Sequence, residues 1–307
     1  MKTYGLPYKG SKDKIAEKIC SFFPIKENFY DLFMGGGSII HYQLLQNQYK
    51  NYYANDFNPL VVKAFDMAIH GKFKNETRWI SHEEFEKLKD IDPYVAFCFS
   101  FGNNLKSYAY SKEIELYKKA VHYYVMLNDD SLLKKLYPDV NFPSIKNEDF
   151  YERKLFLQRF MKQNILLFKG IFKSQIEIML ISQNINSLNS LNNINVDFNN
   201  LRLSSKSYNK IEIKPNSVIY CDPPYKNSDK YEISKDFDYE KFYDWCGKQT
   251  ELCFISEYEM PSNRFTCIAE IEHRSIICAT ENQKVIERIF LPNHQIKNYK
   301  IPSIFDL

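Results

Sequence analysis

Glycine is scarce in this chain, nine copies in 307 residues, so a cluster of glycines carries information. Cysteine occurs seven times, always singly, with no Cys-x-x-Cys spacing. An odd, scattered set excludes a disulfide framework and a thiolate metal site, and it fits reduced thiols in a cytoplasmic setting; no metal is expected. No uninterrupted apolar run reaches the length needed to span a bilayer, and residues 1–14 hold no apolar core of the leader type, so no membrane partner is expected either. No internal repeat is apparent. What is abundant is aromatic: 24 Phe and 23 Tyr, within a hydrophobic content of 44% and a charged content of 26% that are ordinary for a globular protein. The formal charge is only +3. Its distribution is uneven, since residues 71–189 hold 18 Lys and Arg against 15 Asp and Glu, while the remainder holds 23 of each. The excess falls in the middle third, where a surface facing a polyanion would lie, although a solvated helical face gives the same count.

The apolar pattern alternates between strand and helix at both ends of the chain. Residues 28–33 read as a strand, Met34-Gly35-Gly36-Gly37-Ser38 as a turn, and Ile39 to about Gln48 as a helix. Tyr52-Tyr53-Ala54 reads as a second strand ending in Asn55-Asp56, followed by a helix through Leu60, Val61, Ala64, Phe65 and Ala68. The alternation resumes at Val218 with a strand, a loop, a helix over Tyr239 to Cys246 and a strand over Leu252 to Ser256. Arg274 to Ala279 and Lys284 to Leu291 flank Thr280–Gln283 as a hairpin. This predicts an α/β, Rossmann-like, mostly parallel sheet with a terminal antiparallel hairpin. Residues 71–189 give helical spacing instead, with Ile114, Tyr117, Ala120, Val121, Tyr124 and Val125 on one face and a further helix from Phe156 to Phe168. The expected organisation is a domain of 1–70 and 190–307 interrupted by a mainly helical insertion, with Asn-rich residues 184–200 as the return connection.

Two motifs carry chemistry. Asp222-Pro223-Pro224-Tyr225 follows the apolar run Val218–Cys221, at the strand edge where open α/β sheets collect ligands. The prolines fix two φ angles and remove two donors, which aims their carbonyls rigidly. A carboxylate before them and an aromatic plane after them suit a planar group bearing an exocyclic amine. A proline-terminated strand exit is the bland alternative. The glycine turn after the first strand leaves room for a ligand at the backbone, and Ser38 is placed to cap the next helix. It is neither a Walker loop nor a full Gly-x-Gly-x-x-Gly fingerprint, because Ile40 stands where the third glycine would be. Asp56 closes the second strand about 20 residues on, where an acid accepts from ribose hydroxyls. Together these suggest an adenosyl ligand with little need for phosphate binding. Lys12, after the turn at Gly10, is a cation suited to a free carboxylate.

In this order the motifs resemble the adenine-specific DNA methyltransferases of the Dam-like and phage-encoded type, whose target-recognition region lies between the cofactor and catalytic motifs. The resemblance spans Tyr8 to Lys12, Asp31 to Ser38, Asn55-Asp56, Asp197-Phe198 and Asp222 to Tyr225. It implies S-adenosylmethionine as cofactor, with Tyr8 and Lys12 beside its methionine end, Phe33, Gly35 and Gly37 lining its site and Asp56 on the ribose. Asp197 would then accept from the cofactor's adenine amine and Phe198 pack on its ring. It further implies transfer to N6 of an adenine flipped from double-stranded DNA, with Asp222, Pro223, Pro224 and Tyr225 catalytic, and the insertion 71–189 as the DNA-binding domain. Tyr8 and Ser11 depart from the tryptophan and glycine common in the family. In the insertion, Asn103, Asn104, Lys106 and Tyr108 combine amides for base edges, a cation for phosphate and an aromatic wedge, and Lys118 and Lys119 add backbone contacts. An ordinary polar turn explains that segment equally well. Competing readings are methylation of another planar amine (cytosine N4, RNA adenine, protein glutamine) or a catalytically silent DNA-binding relative. A monomer acting on one strand at a time is expected.

Overall fold

The central strands of the sheet have no exposed face. In the computed structural model, which describes residues 4–143, 149–164, 198–226, 237–275 and 283–300, β1 (Asn28–Asp31) and β4 (Ser217–Cys221) are buried at every position. Such strands need neighbours on both sides and cover on both faces. They obtain them in a seven-stranded sheet of order β3-β2-β1-β4-β5-β7-β6, where β2 is Asn51–Asn55, β3 Leu201–Ser204, β5 Leu252–Glu257, β6 Phe265–Ser275 and β7 Gln283–Pro292. The pairs from β3 through β5 are parallel, and β7 is antiparallel to both β5 and β6, so β7 alone among these strands runs in reverse. The expected α/β sheet with an antiparallel end is therefore present, with the second arm of the hairpin on the inside.

Two strands differ from the expectation. The first hairpin arm begins at Phe265 rather than Arg274, because a bulge between Cys267 and Ala269 breaks the alternation on this edge strand. Of its expected turn, Thr280–Gln283, residues 280–282 lie outside the described residues and Gln283 already begins β7. β3, four residues long on the opposite edge, follows directly on the expected connection 184–200, where no strand was expected before Val218.

The described residues fall into two compact units, one drawn from Met1–Gly5, Gly10–Phe65 and Ile194–Leu307, the other from Leu6–Lys9 and Asp66–Asn193. The first contains the sheet and helices α1 (Ala16–Cys20), α2 (Ser38–Gln46) and α9 (Tyr239–Gly247), and α3 (Pro59–Ile69) crosses the division. Cys221, Cys246 and Cys253 are free, buried thiols in its core beside Phe242, so Cys221 is packing, as its position on the strand suggests. The second unit holds α4 (His82–Leu88), α5 (Pro93–Phe99), α6 (Lys112–His122), α7 (Ser131–Leu136) and α8 (Phe150–Gln163). The second half of the predicted stripe forms its core, with Ala120, Val121, Tyr124 and Val125 packed on Leu133 and Leu157, while Ile114 and Tyr117 are half-buried. Ser81 and Glu84 cap α4 reciprocally, and Asp92 with Pro93 starts α5. In a chain short of glycine, asparagine supplies many left-handed positions: Asn47, Asn103, Asn128 and Asn216 all have φ between 52° and 58°. No described helix is long and apolar enough to cross a membrane.

Candidate active site

Three strand exits converge on one edge of the first unit, and Asn55 ties them together. Its amide donates to the carbonyls of Leu32 (3.1 Å) and Lys206 (3.0 Å) and accepts from the Ser204 hydroxyl (2.8 Å) and the Lys206 amide (3.0 Å). All four hydrogen-bonding positions of a buried amide are thus used, which fixes the ends of β1, β2 and β3 against one another. Between β1 and α2 the chain turns through Gly35 (φ 48°) and Gly37 (φ 75°), and a Cβ on Gly37 would stand 2.5 Å from the Phe65 ring. Gly37 occupies the position before α2, so Ser38 is the first helical residue and not the cap; its hydroxyl accepts from the Lys12 amide at 3.1 Å. Asp56 accepts from the amides of Gly35 (2.9 Å) and Asn58 (2.8 Å), a lock on the glycine turn that leaves each carboxylate oxygen a further lone pair. Burial raises its pKa. Beside it Phe57 is 79% exposed.

β1 and β4 are neighbours, with Asp31 paired to Tyr220, which brings the glycine turn and the Asp222 tetrad to adjacent strand ends. Lys12 Nζ bridges both oxygens of Asp222, at 3.0 and 2.8 Å, and lies 3.9 Å from Glu287 and 4.8 Å from the Tyr225 ring centroid. The Tyr225 hydroxyl donates to Glu287, and its ring meets Tyr258 edge-on at 4.6 Å. Pro224 accepts from the Tyr239 hydroxyl at 2.9 Å. Glu257, at the end of β5, accepts from the amides of Tyr258 (2.8 Å) and Lys226 (3.4 Å). Burial pushes the Asp222 carboxyl up to about 6, with Glu287 adding to the shift and Lys12 opposing it. Burial likewise pushes Glu257 up to about 7. For Lys12 burial pulls downward, but the charges of Asp222 and Glu287 outweigh it and hold the ammonium firmly protonated. Burial, then Asp222 and Glu287, keeps the Tyr225 hydroxyl protonated and a donor.

Asp31 is buried at the end of β1, and its Oδ1 has no hydrogen-bond partner among the described residues. Burial, and the nearby charge of Asp222, raise its pKa well above the usual range. An orphaned carboxylate oxygen, the two left-handed glycines and the Asp56 carboxylate form a donor and acceptor set that fits a ligand carrying an ammonium group and a ribose.

Phe33 sits in an aromatic group with Tyr208 (5.4 Å), Phe237 (5.9 Å) and Phe242 (5.7 Å). Phe198 is elsewhere. It precedes β3, whose parallel register pairs Leu201 with Tyr52, so Phe198 stands at the amino edge of the sheet and Asp56 at the carboxyl edge. The expectation that Phe198 packs on the cofactor is corrected: Tyr208, beyond the carboxyl end of β3, is the aromatic on the correct side. The signal was the Leu-Arg-Leu-Ser alternation ahead of it. Asp197 lies outside the described residues. Tyr8 belongs to the second unit, where its ring stacks on Phe97 at 6.1 Å.

The DNA-binding candidates separate into two groups. Tyr108 is 8% exposed with its hydroxyl on the Ile80 carbonyl (2.6 Å), and Lys118 is 2% exposed with its ammonium 5.3 Å from the Tyr110 ring. Both are interior residues, which corrects their reading as a wedge and a phosphate contact. Asn103 donates to Phe97 O (3.1 Å) and Asn104 accepts from the amides of Lys106 (2.9 Å) and Ser107 (3.0 Å), so both asparagines shape the loop. Lys106 is exposed, Lys119 is half-buried with its ammonium 5.5 Å from the Tyr123 ring, and Phe101 is the solvent-facing aromatic at 65% exposure.

A largely parallel sheet with one reversed strand near its end, bearing a glycine turn and a proline tetrad on adjacent strand exits, is a methyltransferase framework. The chain belongs to the D12 class N6 adenine-specific DNA methyltransferases, whose family model matches residues 8–252. Among curated proteins none matches the chain.

Proposed function

We propose that this member of the family transfers a methyl group from S-adenosylmethionine to N6 of an adenine flipped out of duplex DNA. The observation that carries the reading is the placement of Asp222-Pro223-Pro224-Tyr225 at the end of β4, beside the glycine turn that follows β1. S-adenosylmethionine, when bound, supplies an electrophilic methyl sulfonium. Gly35, Gly37, Asp31 and Asp56 hold it. An adenine amine within a stacked duplex is out of reach, so the base is extruded at a cost of a few kcal/mol. Asp222 and the Pro223 carbonyl accept the two amine hydrogens, since the Pro224 carbonyl already serves Tyr239. Held this way, the nitrogen lone pair is presented to the donor and not spent on solvent. Tyr225, its hydroxyl fixed by Glu287, offers its ring to the extruded base. Catalysis on this reading is positioning and electrostatics, with no covalent enzyme intermediate. The second unit supplies the DNA contacts, with Phe101, Lys106 and Lys119 as the accessible candidates.

The test is methyl incorporation into duplex DNA, RNA and protein, followed by nucleoside analysis. N6-methyladenine in DNA is the expected product, and Asp222→Ala should abolish it while calorimetry shows cofactor affinity within about threefold of wild type. Methylation of another substrate, or full activity of Asp222→Ala, would overturn the reading.

A further inference from the structure

Glu287 lies 62 residues beyond Tyr225, on the reversed strand β7, and the reaction as read above gives it no task beyond anchoring a hydroxyl. It is 2% exposed. A carboxylate so deeply buried is unfavourable unless it is bonded and neutralised. One oxygen accepts from the Tyr225 hydroxyl and from the Ser256 hydroxyl (2.7 Å), and the other faces the Lys12 ammonium at 3.9 Å. Lys12 therefore stands between two carboxylates, bonded to Asp222 at 2.8 Å and one short step from Glu287.

That arrangement answers a difficulty in the proposed reaction. Lys12 contacts both oxygens of Asp222, and although each oxygen keeps a second lone pair, sharing one with the adenine amine weakens its hold on the ammonium. Releasing Lys12 outright would strand a buried ammonium, which is strongly unfavourable. A movement of about 1 Å by the lysine head brings the Glu287 contact to the length of a charged hydrogen bond. The ammonium has three donors and a flexible stem, so the exchange needs no backbone change.

We propose that Glu287 is a positioning residue that takes over the Lys12 ammonium as Asp222 engages the substrate amine, while its other oxygen holds the Tyr225 ring in place. The inference rests on the methyltransferase reading of Asp222. Glu287→Gln keeps the size of the side chain and an acceptor for Tyr225 and Ser256, and removes the charge and the oxygen that faces Lys12. The experiment is single-turnover methyl transfer to duplex DNA from labelled S-adenosylmethionine, measured from pH 5 to 8 for wild type, Asp222→Ala and Glu287→Gln. The expected result for Glu287→Gln is a rate about 10- to 100-fold lower with cofactor and DNA affinities unchanged. The acid limb of its profile should also move to lower pH, because the charge of Glu287 helps to raise Asp222 while Lys12, Tyr225 and the more distant Asp31 and Glu257 stay as they are. A purely structural role would lower the active fraction without moving the limb. An unchanged rate, or a lowered rate with an unmoved limb, would overturn the proposal while leaving the function intact, provided wild type is active and Asp222→Ala is not. An inactive wild type would overturn both.

Discussion

Asp222 has to serve as an anionic acceptor in surroundings that oppose its charge. Burial lifts its carboxyl from 3.8 to about 6 even with Lys12 in contact. Below that point the group is a protonated donor and cannot accept an amine hydrogen, so the methyl-transfer rate should rise as pH increases through about 6. Stability should run the other way. A carboxyl whose folded pKa is raised stabilises the fold fully below its unfolded pKa, and that contribution is lost as pH rises through the folded value. Glu257, lifted from 4.5 to about 7, acts in the same direction. Thermal melts of wild type against Asp222→Asn and Glu257→Gln should therefore show the wild-type advantage shrinking between pH 5 and 7, over the range in which wild-type activity grows. A melting difference independent of pH would count against the buried-carboxyl account. At this scale the sequence already spelled out the tetrad, the glycine turn and Asp56, because each is contiguous and chemically distinctive. Glu287 was illegible: a lone glutamate on an alternating strand looks like any solvent-facing charge until β7 is known to lie inside the sheet.

The elements owe their order to a few buried polar side chains as well as to apolar burial. After β7 the chain enters a 3-10 helix, Asn293–Asn298, in which Gln295 is 3% exposed. Its amide donates to the carbonyls of Gln249 (3.0 Å) and Glu251 (2.8 Å) and accepts from the Cys253 amide (2.9 Å), clamping the start of β5. Gln295→Ala would leave the Glu251 carbonyl and the Cys253 amide without this partner, while the Gln249 carbonyl keeps His294 at 2.9 Å. The expected loss is about 2–4 kcal/mol, read as a lower urea midpoint at an unchanged slope. A loss below about 0.5 kcal/mol would show that the clamp is dispensable. Elements with continuous burial, β1 and β4, and amphipathic helices such as α6, were legible because their apolar period is strong. The edges were not. β3 is short and follows an Asn-rich stretch, so its register, and with it the side of the sheet on which Phe198 falls, could not be read from local pattern. The bulge in β6 hid its first half in the same way.

Across the whole molecule, charge and chemistry are divided between the two parts of the chain. The polar site, with its carboxylates and the Lys12 ammonium, is drawn from the segments flanking 71–189, whereas the net excess of basic residues lies within 71–189. If that excess faces the phosphate backbone, binding releases counterions and the logarithm of DNA affinity falls linearly with that of salt, by about 0.9 per phosphate contact on duplex DNA. Lys106 and Lys119 are the test pair, because Lys106 is exposed and Lys119 is half-buried with its ammonium over the Tyr123 ring. The double substitution Lys106→Ala, Lys119→Ala should lower the slope by about 2 and weaken binding alike on all sequences. Affinity for S-adenosylmethionine, measured on the same variant by calorimetry, should be unchanged. Lys118→Ala should behave differently: this lysine is interior, so its loss should appear as a lower melting temperature with the salt slope intact. An unaltered slope in the double variant would remove these lysines from the DNA surface and leave Phe101 as the remaining accessible candidate on that loop.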